Sequence, residues 1–126
     1  MRMKFRGKRM EDRSWVYGYF LQDDESGISY IVSWDNGEPL FHRVFPQSIG
    51  RWTHYRDANG VDVYDGDILR DPESGVLGVV VWEKELFLLL LHRDEGLPAP
   101  ICLASRMTVI GNVFDHPKLV EGYPCV

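Results

Sequence analysis

The stretch DANGVDVYDGDILR, Asp57 to Arg70, decides how the chain is read. It sets Asp57, Asp62, Asp65 and Asp67 beside Asn59, Gly60 and Gly66, among Val61, Val63, Tyr64, Ile68 and Leu69. Acids this dense suit a calcium loop, an acid–base pair or a set of tight turns. An EF-hand loop needs oxygen ligands at its first, third and fifth positions, Gly at the sixth and an acid at the twelfth. Counted from Asp57, the fifth position is Val61, Gly60 is the fourth and Ile68 the twelfth, so the calcium reading fails. Asp65 and Asp67 are close enough for a metal or acid–base pair, yet their segment brings no third ligand. Asp and Asn accept hydrogen bonds from nearby backbone donors, and Gly permits positive φ. The stretch therefore reads as turns between short strands, broken at Gly66.

Turns imply strands on either side, and the flanking sequence supplies them. Upstream, SWVYGYFL (14–21) alternates and is rich in aromatics, and ISYIVSW (28–34) is β-branched and aromatic after the turn DDESG. Asn36-Gly37 is a strong signal for a type I′ hairpin, with PLFHRVF (39–45) as the return strand. PQSIGRW (46–52) begins on Pro46 and ends near Gly50, which suits a single helical turn. Downstream, VLGVVVW (76–82) and LFLLLLH (86–92) are nearly continuous apolar runs joined by EKE, as expected at the centre of a fold. RDEGLPAP reads as a wide loop, MTVIGNVF (107–114) as a last strand and DHPKLVEGYP as a tail or helical turn. No window of eleven residues keeps a helical apolar period without Gly or Pro. The fold class is all-β, an N-terminal β-meander over 1–45 and a small barrel or sandwich over 46–126, together one compact unit.

Composition narrows the function classes. At 126 residues with 44% hydrophobic content, the chain can bury a core without metal or disulfide staples. Cys102 and Cys125 make no framework and read as free thiols of a reducing cytosol. The basic start MRMKFRGKRM has no apolar run behind it, so no signal peptide is expected. LFLLLL falls far short of the roughly 20 residues that span a bilayer. A cytoplasmic protein without membrane association is expected. The net charge of −5 conceals a basic segment, Lys4, Arg6, Lys8 and Arg9 among others, on an acidic body. Those four are the candidate phosphate contacts. The plainer reading makes the segment a solvated edge strand.

Catalytic signatures do not emerge. His42, His54, His92 and His116 show no zinc spacing, and no phosphate loop, dinucleotide fingerprint or hydrolase elbow occurs. No cofactor, metal or catalytic residue is assigned, and a cryptic site of Asp65, Asp67 and His54 is the least favoured alternative. The aromatics Trp15, Tyr17, Tyr19, Tyr30, Trp34, Trp52, Tyr55 and Trp82 suit a stacking platform. Trp15, Tyr17 and Tyr19 alternate on one side of a strand, where covering a core is the commoner use. Arg51, Trp52, His54, Tyr55 and Arg56 combine aromatic and basic residues in a connection, and form the candidate partner-binding surface.

Three segments carry a family resemblance. KFRGKRMEDRSWVYG (4–18), IGRWTHYRDANGVDVYDGDIL (49–69) and VIGNVFDHPKLVEG (109–122) resemble, in order, the opening, central and closing motifs of the YopX-like proteins of phages and prophages. One departure is His54-Tyr55, where the family often shows Gly-Leu. The resemblance implies a small β protein whose C-terminal portion is an SH3-like barrel, encoded on mobile DNA and acting in a bacterial cytoplasm. It implies no catalytic residue. The expected function is a non-enzymatic module that binds a protein partner or its own copies, with a nucleic-acid-binding accessory role as the alternative.

Overall fold

The structure, a computed structural model, describes residues 4–91 and 98–121. The described chain is all-β, with three short 3-10 turns, and its contacts divide into two compact units between Trp52 and Thr53.

The first unit contains β1 (Phe5–Lys8), β2 (Trp15–Gln22), β3 (Ser29–Asp35), β4 (Glu38–Arg43), a 3-10 turn at Pro46–Ser48 and the start of β5 (Gly50–Arg56). Its strands are antiparallel in the order β4-β3-β2-β1-β5. The β3–β4 hairpin turns on Asn36 and Gly37, at φ 50° and 82°, as a type I′ turn requires. Contrary to the edge expected for the basic segment, β1 lies inside the sheet, between β2 and β5. Its end also returns to the end of β4. Arg9 bridges Val44, Met10 N donates to Arg43 O at 3.0 Å, and Phe45 N donates to Lys8 O at 2.9 Å. Curling this tightly leaves little interior room. At Gly7 an added Cβ would lie 2.9 Å from Ile31 and 3.1 Å from Val44, so Gly7 lets β1 close over those side chains.

The second unit takes the rest of β5, then β6 (Asp62–Tyr64), β7 (Asp67–Arg70), β8 (Leu77–Glu83), β9 (Leu86–Leu91), β10 (Pro98–Pro100) and β11 (Thr108–Asn112). Further 3-10 turns span Ile101–Arg106 and Pro117–Val120. The antiparallel order is β10-β9-β8-β7-β11. One buried cluster holds Val63, Leu69, Val80, Leu89, Ala99, Ala104 and Met107, and another holds Ile68, Val79 and Val120. Neighbours along β7 and β8 thus point into different clusters. Burial on both sides explains why β8 and β9 read as continuous apolar runs.

Two expectations need correction here. The sheet is open, with β10 and β11 as its edges, so the SH3-like closed barrel is not what the hydrogen bonds describe. Pro98–Pro100, expected within a loop, pairs with β9 as an edge strand, where prolines deny a further strand its donors. The remainder of that loop, His92, and Cys125 in the tail lie outside the described residues.

The β8–β9 turn carries local strain. Glu83 pairs with Leu86 across Lys84 and Glu85, both at positive φ, 50° and 65°. Each such non-glycine residue costs about 1 kcal/mol. Lys84→Asn/Glu85→Gly is expected to raise unfolding stability by about 1–2 kcal/mol, measured by urea denaturation.

Candidate functional site

Register in the first unit determines which side chains share a face. Arg6 pairs with Tyr17 and Lys8 with Trp15, while Tyr19 pairs with Val32 and Val32 with Phe41. Strand alternation therefore places Lys4, Arg6, Lys8, Trp15, Tyr17, Tyr19, Leu21, Tyr30, Val32, Trp34, Phe41 and Arg43 on one side. The opposite side carries Phe5, Gly7, Phe20 and Ile31, with Phe5 5.7 Å from Phe20.

The shared side presents a layer of rings and cations. Lys4 Nζ stands 5.8 Å from the Tyr17 ring and 5.1 Å from Trp52. Arg6 and Lys8 lie over Trp15 at 4.7 and 5.1 Å, and Tyr30 meets Phe41 edge-on at 6.2 Å. These distances fall within the reach of cation–π attraction. Tyr17, Tyr19, Trp34 and Phe41 remain 47%, 45%, 60% and 56% exposed. Tyr17 and Tyr19, expected to cover a core, instead face outward. A groove of about 410 Å³ is lined by Tyr17, Tyr19 and Trp34 together with Lys4, Val32 and Ser33, and is floored at Gly18. Gly18 is required there, since an added Cβ would stand 2.1 Å from Val32 O.

The candidate residues chosen from sequence take different positions. Lys4 borders the groove, whereas Lys8 is half-buried over Trp15 and Arg6 is buried against the same ring. Arg9 is held locally by Glu11 at 2.6 Å and Asp12 at 3.5 Å. The Asp12 carboxyl lies below its usual pKa, chiefly through the Ser14 hydroxyl, then the Ser14 N–H, with Arg9 contributing. The connection proposed as a partner surface is strand β5. Arg51 lies 5.2 Å over Phe5, on the side away from the groove, and Trp52 receives Lys4. In the second unit, His54 and Tyr55 are exposed and Arg56 pairs with Asp62 at 3.2 Å.

His54 has φ 69°, a left-handed value within a strand. Buried Thr53 holds the irregularity in place, its hydroxyl donating to Val63 O at 2.7 Å and accepting from Tyr55 N at 3.1 Å. A glycine suits such a backbone. His54→Gly is therefore expected to stabilise the chain by about 1 kcal/mol, read from the denaturation midpoint.

The acids of the opening stretch hold the backbone. Asp57 Oδ1 accepts from Asn59 N and Val61 N at 2.8 and 2.9 Å, while Oδ2 accepts from Val109 N at 2.9 Å. Asp67 accepts from Tyr64 N at 2.7 Å, and Asp65 from Trp82 N at 3.2 Å. Among the described residues no group of three His, Cys, Asp or Glu side chains is placed to hold a metal ion. His116 Nδ1 accepts from Asn112 N, and Asn112 Oδ1 caps Phe114 N and Asp115 N, so the closing motif is likewise a built turn. Ser33 Oγ and His42 Nε2 lie 2.9 Å apart across β3 and β4, a contact without a signal in the sequence.

The fold and this face define a class: an all-β protein of antiparallel sheets that displays aromatic rings and cations on one sheet surface. The chain belongs to the YopX family, since the family described as YopX protein matches residues 4–121. No curated protein matches it. Among solved structures it resembles the crystal structure of protein EF1440 from Enterococcus faecalis, at a TM-score of 0.60 and 19% identity, over 96% of this chain and 99% of that one. That likeness concerns the fold alone. Among the described residues no helix is long and apolar enough to cross a membrane.

Proposed function

We propose that this YopX-family protein is a non-enzymatic interaction module that captures a macromolecular partner on the aromatic face of its first unit. One observation carries the reading: Tyr17, Tyr19, Trp34 and Phe41 stand half-exposed on adjacent strands, the first three of them lining a groove. Exposed rings grouped this way invite association, and Tyr and Trp dominate the contact energy of binding surfaces. The carboxylates that first suggested chemistry are engaged with backbone N–H groups, which supports a structural role for them. A phage or prophage origin and a bacterial cytoplasmic setting belong to the same proposal.

Charge bears on which partner fits. Every charged strand position on the aromatic side is basic, namely Arg6, Lys8 and Arg43, and Lys4 just ahead of β1 adds a further cation. Two copies meeting face to face would oppose these cations, which disfavours self-pairing through this surface. The test is retention from bacterial lysate on immobilised protein, with and without nuclease, against Tyr19→Ser/Trp34→Ser. Specific material held by the wild type and lost from the folded variant supports the reading. Identical profiles for the two proteins would contradict it.

A further inference from the structure

We propose that the occupant of this face is single-stranded nucleic acid, an inference that rests on the interaction-module reading. The chemistry of the face favours it on three grounds.

The first is how the cations are placed. Protein–protein interfaces keep lysine out of their centres and toward their rims. Here Lys4 stands within the ring cluster, near Tyr17 and Trp52, and Lys8 lies over Trp15. Cations interleaved with rings suit a ligand that alternates planar bases with phosphates, because each residue type meets its complement at short range.

The second ground is ring geometry. Tyr17 and Tyr19 occur two positions apart on β2, with Trp34 on β3 and Phe41 on β4. Successive bases of one strand thereby find ring faces on three adjoining β-strands, a sheet surface of the kind that reads unpaired bases by stacking. The third ground is shape. The groove is open and bounded by Tyr17, Tyr19 and Trp34 with Lys4 beside them, so a base can enter between rings while its phosphate meets the lysine. A duplex keeps its base faces hidden and gains only the charge contacts.

The test is fluorescence anisotropy of the full chain with labelled oligothymidine, a labelled duplex and labelled polyglutamate, across a salt series. Oligothymidine is expected to bind more tightly than the duplex. Tyr19→Ala and Trp34→Ala should each weaken it by about tenfold or more, with unchanged circular dichroism. With Lys4, Lys8 and Arg43 meeting phosphates, the log–log salt slope should be about −2, and Lys4→Ala should reduce its magnitude by about 0.7. Absent binding at low salt, or binding indifferent to Tyr19→Ala and Trp34→Ala, would overturn the inference. Polyglutamate binding that Trp34→Ala abolishes, without oligothymidine binding, would overturn nucleic acid as the occupant but keep the interaction face. Failure of both probes, with unaltered lysate retention in the ring variant, would sink both readings.

Discussion

Asp57→Ala is expected to lower unfolding stability by about 3–5 kcal/mol, a large part of what a small domain has. The side chain is buried, and its carboxylate accepts from Asn59 N, Val61 N and Val109 N. Hydrogen bonds to a charged acceptor are worth about 1.5–3 kcal/mol each, and donors left buried without an acceptor add their desolvation cost. The three bonds share one group, so their effects do not add in full. Asp57→Asn separates the contributions. Its amide oxygen can still serve the turn, while its NH2 would face the Val109 N–H, so a loss of about 1–3 kcal/mol is expected. Urea unfolding of both variants checks this, and a loss below about 1 kcal/mol for Asp57→Ala would show that water replaces the carboxylate freely.

Gly18→Ala should be the most damaging small change in the first unit. A methyl group there would stand 2.1 Å from Val32 O and 2.9 Å from Val32 C, both backbone atoms. Backbone in a paired strand cannot turn aside as a side chain would, so β2 and β3 must separate or distort. Overpacking costs about 1–3 kcal/mol even when side chains can yield, and a backbone clash belongs at or above the top of that range. Gly37→Ala is the matched control. Its Cβ meets open space, and only its φ of 82° is strained, so a loss of about 1 kcal/mol is expected. Similar denaturation midpoints for the two variants would contradict this account of Gly18. Because Gly18 also floors the groove, its substitution should impair binding together with folding.

The local architecture was legible wherever a turn or a run specifies itself. Asn36-Gly37 forms the expected hairpin turn, Pro46–Ser48 the expected helical turn, and Gly66, at φ 91°, breaks the strands where the sequence suggests. The apolar runs 76–82 and 86–91 contribute β8 and β9 to the five-stranded sheet, with β8 at its centre. What the sequence could not show was which side of β2 faces inward. Alternation defines two faces but does not say which one a core covers. Here the inner side is taken by Gly7, Ile31 and Val44, with Phe5 and Phe20 further along the same side. Tyr17 and Tyr19 are thereby turned outward.

Long-range contacts were also out of reach. Asp57 reads as a local turn acid, yet one of its oxygens holds Val109, 52 residues away. The basic segment read as a solvated edge because its charges are visible in sequence while its two strand partners are not. Composition did mark the relevant residue types. Lys4, Lys8 and the aromatic series were all recognisable, but only register shows that they share one face, whereas Arg51 stands on the other.

The most direct test of the aromatic face uses the four tryptophans as reporters. Trp15, Trp34 and Trp52 belong to the first unit, while Trp82 belongs to the second. An oligothymidine titration followed through the indole N–H resonances should move Trp34 most, move Trp15 and Trp52 less, and leave Trp82 unchanged. Shifts confined to Trp82, or no shift at Trp34 under saturating ligand, would contradict the claim that this face is where the protein binds.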